Sequence, residues 1–204
     1  MDIKKEHIAP GIVAYYDVME DPQSFISDLE GLVEIKNLAW TPGTVRQVED
    51  GPEVDHKVSS SVRDVESIGI PPYDRNPSLR AQGGVTLQLH DFLNESLGHV
   101  VSDYAREFGV LSYATGENWQ LLKYGKGHHF DNHIDDNKIY PRTFSMSYYL
   151  NDNYIGGEIE FPRFDLKIKP VANQAILFAA NYVYNHKIYP VDAGKRYTIV
   201  NWFE

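Results

Sequence analysis

Apolar and polar positions recur along this chain with two different periods, and the change of period divides it. Residues 11–16 are apolar and β-prone, which predicts a short strand. Asp21-Pro22 then offers an N-cap and a first-turn proline ahead of Phe25, Ile26, Leu29, Leu32 and Val33, whose spacing predicts a helix. The strongest helical pattern covers residues 85–108, where Leu89, Phe92, Leu93, Leu97, Val100, Val101, Tyr104 and Phe108 return every three or four positions. That stripe is expected to buttress a sheet, with His90 and His99 as ordinary surface or boundary residues. Between the two helices, residues 41–84 hold five prolines and five glycines with only short β-like pieces. A stretch of that length in a compact domain reads as a lid facing the substrate or as a plain surface excursion.

After residue 117 the period drops to two. Segments rich in β-branched and aromatic residues occupy 119–124, 143–150, 158–161, 164–168, 175–179, 184–188 and 196–203, separated by Gly, Asn, Asp and Pro. Many short strands at this spacing predict a sandwich, barrel or jelly roll. Helices lead and strands follow, so the expected class is α+β: N-terminal buttressing helices on a cupin-like jelly roll, or double-stranded β-helix. One domain over 1–204 is expected, with 117–204 as its catalytic core.

Composition narrows the chemistry. The chain has 204 residues, 42% hydrophobic, and a formal charge of -10. An acidic balance disfavours polyanions, so neither nucleic acid nor an anionic membrane is an expected partner. There is no cysteine, which removes disulfides, thiolate nucleophiles and cysteine-ligated metals. No stretch of about 18 apolar residues occurs, and the N-terminus lacks a leader pattern, so a cytoplasmic location is expected.

With thiolates excluded, a metal site must rest on histidine and carboxylate. Residues 128–136 hold His128, His129, His133, Asp131, Asp135 and Asp136. The segment contains two His-x-Asp triplets, His129-Phe130-Asp131 and His133-Ile134-Asp135, and either could present imidazole and carboxylate to one ion from a strand end. A third ligand is available in His186, within a β-like segment beside the last strand. Two histidines and one carboxylate on one side of a metal leave positions open, as in the facial triad of non-haem Fe(II) oxygenases. A zinc hydrolase could use the same ligands but needs a placed general base, and no His-Glu-x-x-His helix supplies one. Arg196 begins a strand ten positions after His186 and could hold a carboxylate through its fork. Alternation groups Arg196, Thr198, Val200 and Trp202 on one face, and Thr143, Ser145, Ser147 and Tyr149 on another. Periodicity alone leaves open whether that polar face points inward or to solvent.

Tyr124, Gly127, Phe130, His133 and Asp135, the run 142–151 (Arg-Thr-Phe-Ser-Met-Ser-Tyr-Tyr-Leu-Asn), Gly156-Gly157-Glu158-Ile159-Glu160-Phe161-Pro162, and His186 through Pro190-Val191 to the 194–202 run (Gly-Lys-Arg-Tyr-Thr-Ile-Val-Asn-Trp) together resemble the prolyl 4-hydroxylase superfamily of Fe(II)/2-oxoglutarate dioxygenases. The small size resembles bacterial and phage members, which would put the protein in a host cytoplasm if phage-encoded. The resemblance implies Fe(II) held by His133, Asp135 and His186, with 2-oxoglutarate and O2 as cosubstrates and ascorbate as an optional addition. It implies that Arg196 binds the far carboxylate of 2-oxoglutarate, helped by Tyr149 and Tyr124, and that Trp202 shapes the pocket. Collagen-type members carry lysine at the carboxylate position; here Lys195 and Arg196 are adjacent, and Arg196-Tyr197 before an apolar strand matches the oxygen-sensing branch. The implied substrate is a peptidyl proline, with a free amino acid or other small metabolite as the alternative, and a non-catalytic jelly-roll binding module as the rival from another class.

Overall fold

In the computed structural model, residues 3–48, 54–57, 59–71, 84–114, 117–136 and 141–204 are described. Strands β1 (Lys5–Ala9) and β2 (Ile12–Tyr16) form an N-terminal hairpin, followed by helix α1 (Pro22–Glu34). Asp21 caps that helix as expected, its carboxylate accepting from the Ser24 N–H at 2.9 Å. Five short strands precede the long helix: β3 (Thr41–Pro42), β4 (Val45–Val48), β5 (Val54–Lys57), β6 (Arg63–Asp64) and β7 (Glu66–Ile70). Helix α2 covers Val85–Glu107. The C-terminal half is β8 (Trp119–Tyr124), β9 (His129–His133), β10 (Phe144–Tyr149), β11 (Ile155–Gly156), β12 (Ile159–Phe161), β13 (Leu166–Ile168), β14 (Gln174–Ala179), β15 (His186–Ile188), β16 (Val191–Ala193) and β17 (Arg196–Phe203).

Among the described residues these strands form an eight-stranded sheet in the order β1-β2-β14-β10-β17-β8-β7-β3 and a five-stranded sheet in the order β13-β12-β15-β9-β6. The paired strands run antiparallel, and the two sheets face each other as a jelly roll. On the outer face of the large sheet, Leu93, Leu97, Val100, Val101 and Tyr104 of α2 pack with Phe144, Tyr148, Ile199 and Phe203 in one apolar cluster. A second cluster, including Leu122, Tyr149, Ile159, Phe161, Ile176 and Ile188, lies between the sheets. Both helices therefore buttress the sheet, as their stripes predict.

Three expectations change. Helices do not simply precede strands: β1 and β2 extend the large sheet beside β14, because the N-terminal apolar strand needs a partner for its backbone groups. The 41–84 stretch is not only an excursion, since β7 pairs with β8 in the large sheet and β6 with β9 in the small one; the remainder of the lid reading, at 49–53, 58 and 72–83, lies outside the described residues. His90 is 1% exposed rather than a boundary residue, with Asn94 and Asp91 beside its ring. No helix among the described residues is long and apolar enough to cross a membrane.

Candidate metal and cosubstrate site

The small sheet brings the histidines together. His186 of β15 is the direct cross-strand partner of His133 on β9, and their ring centroids stand 4.3 Å apart. Asp135 follows two residues after His133, with its carboxylate 3.6 Å from His133 Nε2 and 3.9 Å from His186 Nε2. One ligand atom from each residue lies within 4.8 Å of the others. His133 Nδ1 faces the Asp131 carbonyl at 2.7 Å, and His186 Nδ1 faces the Tyr184 carbonyl at 3.1 Å. A carbonyl only accepts, so each Nδ1 carries a hydrogen and each Nε2 is turned to Asp135. Phe130 stacks on His133 at 3.6 Å, while Phe161 and Phe178 pack around His186. This apolar collar limits the rotamers of both rings.

Electrostatics agree with the geometry. Burial, followed by the charge of His186, pushes the His133 imidazole well below its ordinary value, so it is neutral near pH 7. For Asp135, burial acts to raise the carboxyl, but His186, His133 and Arg142 outweigh it and hold the group below the usual carboxylate range. A neutral imidazole at His133 and an ionised carboxylate at Asp135 are the protonation states a divalent metal requires of those two ligands.

Of the two His-x-Asp triplets, the other stays apart. His129 and Asp131 sit on a more exposed part of β9, 4.0 Å from each other and away from His186, and Asp131 is 62% exposed at its side chain. Residues His129–His133 form a strand, and its register and bulge against β15 bring one triplet to His186.

The same pocket runs from His133, Asp135 and His186 past Ser147 to Arg196 and Thr198. Ser145, Ser147 and Tyr149 are buried and face inward, resolving the orientation that alternation leaves open. Arg196 is 1% exposed, its guanidinium 4.7 Å from the Tyr124 ring and 5.0 Å from the Tyr149 ring. Lys195 is exposed, so Arg196 is the cation inside. Arg196 Nε and Nη1, Tyr149 Oη, Tyr154 Oη and Thr198 Oγ1 are buried without a hydrogen-bond partner among the described residues. Burial drives the Tyr149 hydroxyl upward, and Arg196 moderates the rise by its charge. A buried cation flanked by free hydroxyls is costly in an empty protein and complementary to a carboxylate. Gly157 lies close to this arrangement at positive φ: a Cβ there would come within 3.1 Å of the Tyr154 ring and 3.4 Å of Arg196 Cδ. Trp202 also lines the pocket.

Sequence reasoning assigns no role to Arg63 or to the Glu117–Arg142 pair. Arg63 is 8% exposed, donates to Thr44 O at 2.8 Å and to Gln120 Oε1 at 3.1 Å, and covers the Phe130 ring at 4.9 Å. No local signal marks it, because it lies in the proline-rich stretch and reaches the pocket only through β6 pairing with β9.

Residues 119–204 match the family model described as the 2OG-Fe(II) oxygenase superfamily. That match, over the C-terminal strands β8 to β17, supports a 2-oxoglutarate-dependent dioxygenase. Its fold is shared with solved prolyl hydroxylases. A Trichoplax adhaerens prolyl hydroxylase, solved in complex with a hypoxia-inducible-factor oxygen-degradation-domain peptide fragment, aligns with a TM-score of 0.69 at 17% identity over 95% of this chain and 83% of that one. The viral collagen prolyl hydroxylase of Paramecium Bursaria Chlorella virus-1, in its 2OG complex, aligns with a TM-score of 0.57 at 19% identity over 95% of both chains. A Pseudomonas putida prolyl-4-hydroxylase gives 0.58 at 17% identity over 95% and 92%. A search of curated proteins finds no match in sequence.

Proposed function

We propose that this protein hydroxylates an unactivated C–H bond, that of a peptidyl proline, with Fe(II) held by His133, Asp135 and His186 and 2-oxoglutarate held by Arg196. The observation that carries the reading is the buried Arg196 guanidinium, its Nε and Nη1 without a partner among the described residues, at one end of a pocket whose other end is the two-histidine, one-carboxylate cluster. The donor set suits a hard divalent ion with open positions. Bound there, Fe(II) supplies the redox chemistry that couples decarboxylation of the 2-oxo acid to oxidation of the substrate.

The chain's own residues bind and orient. Arg196 offers two parallel donors to the distal carboxylate, and Tyr149 and Thr198 offer hydroxyls to the same group. Tyr124 stacks beneath the guanidinium and fixes its plane. Phe130, Phe161 and Phe178 exclude water from the ligand rings. Trp202, at the pocket wall, bounds the space left for substrate. The peptide part of the reading is supported by the shared fold with prolyl hydroxylases, one of them solved with a peptide. The chain is read as one dioxygenase domain in which 41–84 shapes substrate entry, supported by Arg63 and β6 at the pocket edge.

The test is Fe(II)- and 2-oxoglutarate-dependent succinate formation with proline-containing peptides and with free amino acids. Asp135→Ala and His186→Ala are expected to reduce it to background, and Arg196→Ala to act chiefly on the 2-oxoglutarate requirement. Succinate formation that survives both ligand substitutions overturns the metal assignment, and hydroxylation of free amino acids alone overturns the peptide reading.

A further inference from the structure

Arg142 stands where three parts of the site meet. Its Nε and Nη2 donate to Glu117 Oε1 and Oε2 at 2.5 and 2.6 Å, a forked pair in which each side chain is 10% exposed. Its Nη1 donates to the backbone carbonyl of Asp135 at 2.8 Å. Its flat face lies 4.0 Å from the centroid of the Trp202 ring. The backbone nearby is tied as well: Arg142 N–H donates to Asp136 Oδ1 at 3.1 Å, and Asp136 N–H to the Ala180 carbonyl at 2.9 Å. Asp135 itself lies two residues beyond the end of β9, and the peptide that joins it to Asp136 is held on both sides: its N–H by the Ala180 carbonyl and its carbonyl by Arg142 alone among the described residues.

We infer that the Glu117–Arg142 pair positions the Asp135 ligand and the Trp202 wall together, so that the carboxylate is presented to the metal in one orientation. The inference rests on the proposed triad. Its physical basis is that a strand-end aspartate keeps its side-chain direction only if its own peptide plane is held, and Arg142 holds the carbonyl of that plane. Glu117 occupies the fork and neutralises it, so Arg142 acts as a fixed support and not as a cation offered to substrate. Arginine is required in this place, since lysine lacks the planar fork and cannot serve the carboxylate, the carbonyl and the indole face together. Groups of this kind around a ligand are worth about 10–100-fold in metal affinity.

The experiment is anaerobic titration of the purified metal-free chain with Co(II), followed by visible absorption, for wild type, Asp135→Ala, Arg142→Ala, Arg142→Lys and Glu117→Gln. Tryptophan fluorescence is recorded on the same samples. Arg142→Ala and Arg142→Lys are each expected to weaken Co(II) binding about 10-fold or more, with an altered absorption band and a shifted tryptophan emission. Glu117→Gln keeps the shape but loses half the charge pair and is expected to give a smaller shift in the same direction. If Arg142→Ala fails to fold, Arg142→Lys decides. Wild-type Co(II) affinity and band shape in folded Arg142→Lys and Glu117→Gln overturn the inference. Wild-type binding in Asp135→Ala overturns instead the triad on which it rests, so the two failures are told apart.

Discussion

Tyr148 and Tyr149 are neighbours on one strand and are both fully buried, yet they have opposite surroundings. Tyr148 points to the helix side, where its hydroxyl donates to Asn173 Oδ1 at 2.8 Å. Tyr149 points between the sheets, where its hydroxyl has no partner among the described residues. The same division holds along the last strand: Tyr197, Ile199 and Phe203 join the apolar layer under the helices, with the Tyr197 hydroxyl donating to Glu30 at 2.6 Å, while Arg196 and Thr198 carry unpartnered donors on the inner face. The outer face is mostly apolar, pairs its tyrosine hydroxyls and stabilises the fold. The other keeps hydrogen-bonding capacity in reserve for a ligand, at a cost in stability that the first face offsets.

The largest expected effect breaks the outer face alone. Leu97→Ala, at a position fully shielded from solvent, should cost about 2–5 kcal/mol in urea unfolding, with an unchanged KM for 2-oxoglutarate in the protein that remains folded. Arg196→Met, on the inner face, should do the reverse: about 100-fold weaker 2-oxoglutarate binding by titration, equivalent to about 2.7 kcal/mol, with unchanged or higher stability, because an unpaired buried charge is removed.

Acidification tests the metal end. His133 is held low in the folded state, so below its ordinary value of about 6.5 the unfolded chain binds a proton that the folded chain refuses. Asp135, also held low, adds stability that is lost as pH falls through its folded value. Both signs agree, and the metal-free protein should lose stability as pH drops below about 6.5, with a slope near 1.4 kcal/mol per pH unit from His133. His133→Asn should flatten that slope in pH-dependent thermal unfolding, and a stability that rises on acidification would contradict it. The finest comparison is the tyrosine pair: Tyr148→Phe should lose about 1 kcal/mol of stability with KM unchanged, and Tyr149→Phe should raise the 2-oxoglutarate KM with stability nearly unchanged.

Much of this arrangement was legible before folding, and for definable reasons. Asp21-Pro22 and the 85–108 stripe are local signals, and they mark two helices that the structure contains with nearly the same ends. The alternation over 143–150 separated the two faces correctly, since period two is a property of strand geometry alone. It could not say which face pointed inward, because that depends on what lies across the sheet. The two His-x-Asp triplets were equivalent by spacing, and the resemblance chose His133 and Asp135; the structure brings that triplet to His186 through the pairing of β9 with β15. Arg63 and the Glu117–Arg142 pair carried no local mark at all, as their partners lie 19 to 57 and 25 positions away in the chain.

Composition set one further limit: a chain of 204 residues without cysteine cannot hold a metal through thiolate. By itself, then, the sequence determined the donor types, the element types and the alternation of each strand, because these follow from side-chain chemistry and short-range backbone geometry. Tertiary structure decided which face became the interior, which imidazoles met one carboxylate, and which arginine was left buried with its donors free. Those outcomes depend on strand pairing between distant segments, where hydrogen-bond register and the burial of both sheet faces must be satisfied together.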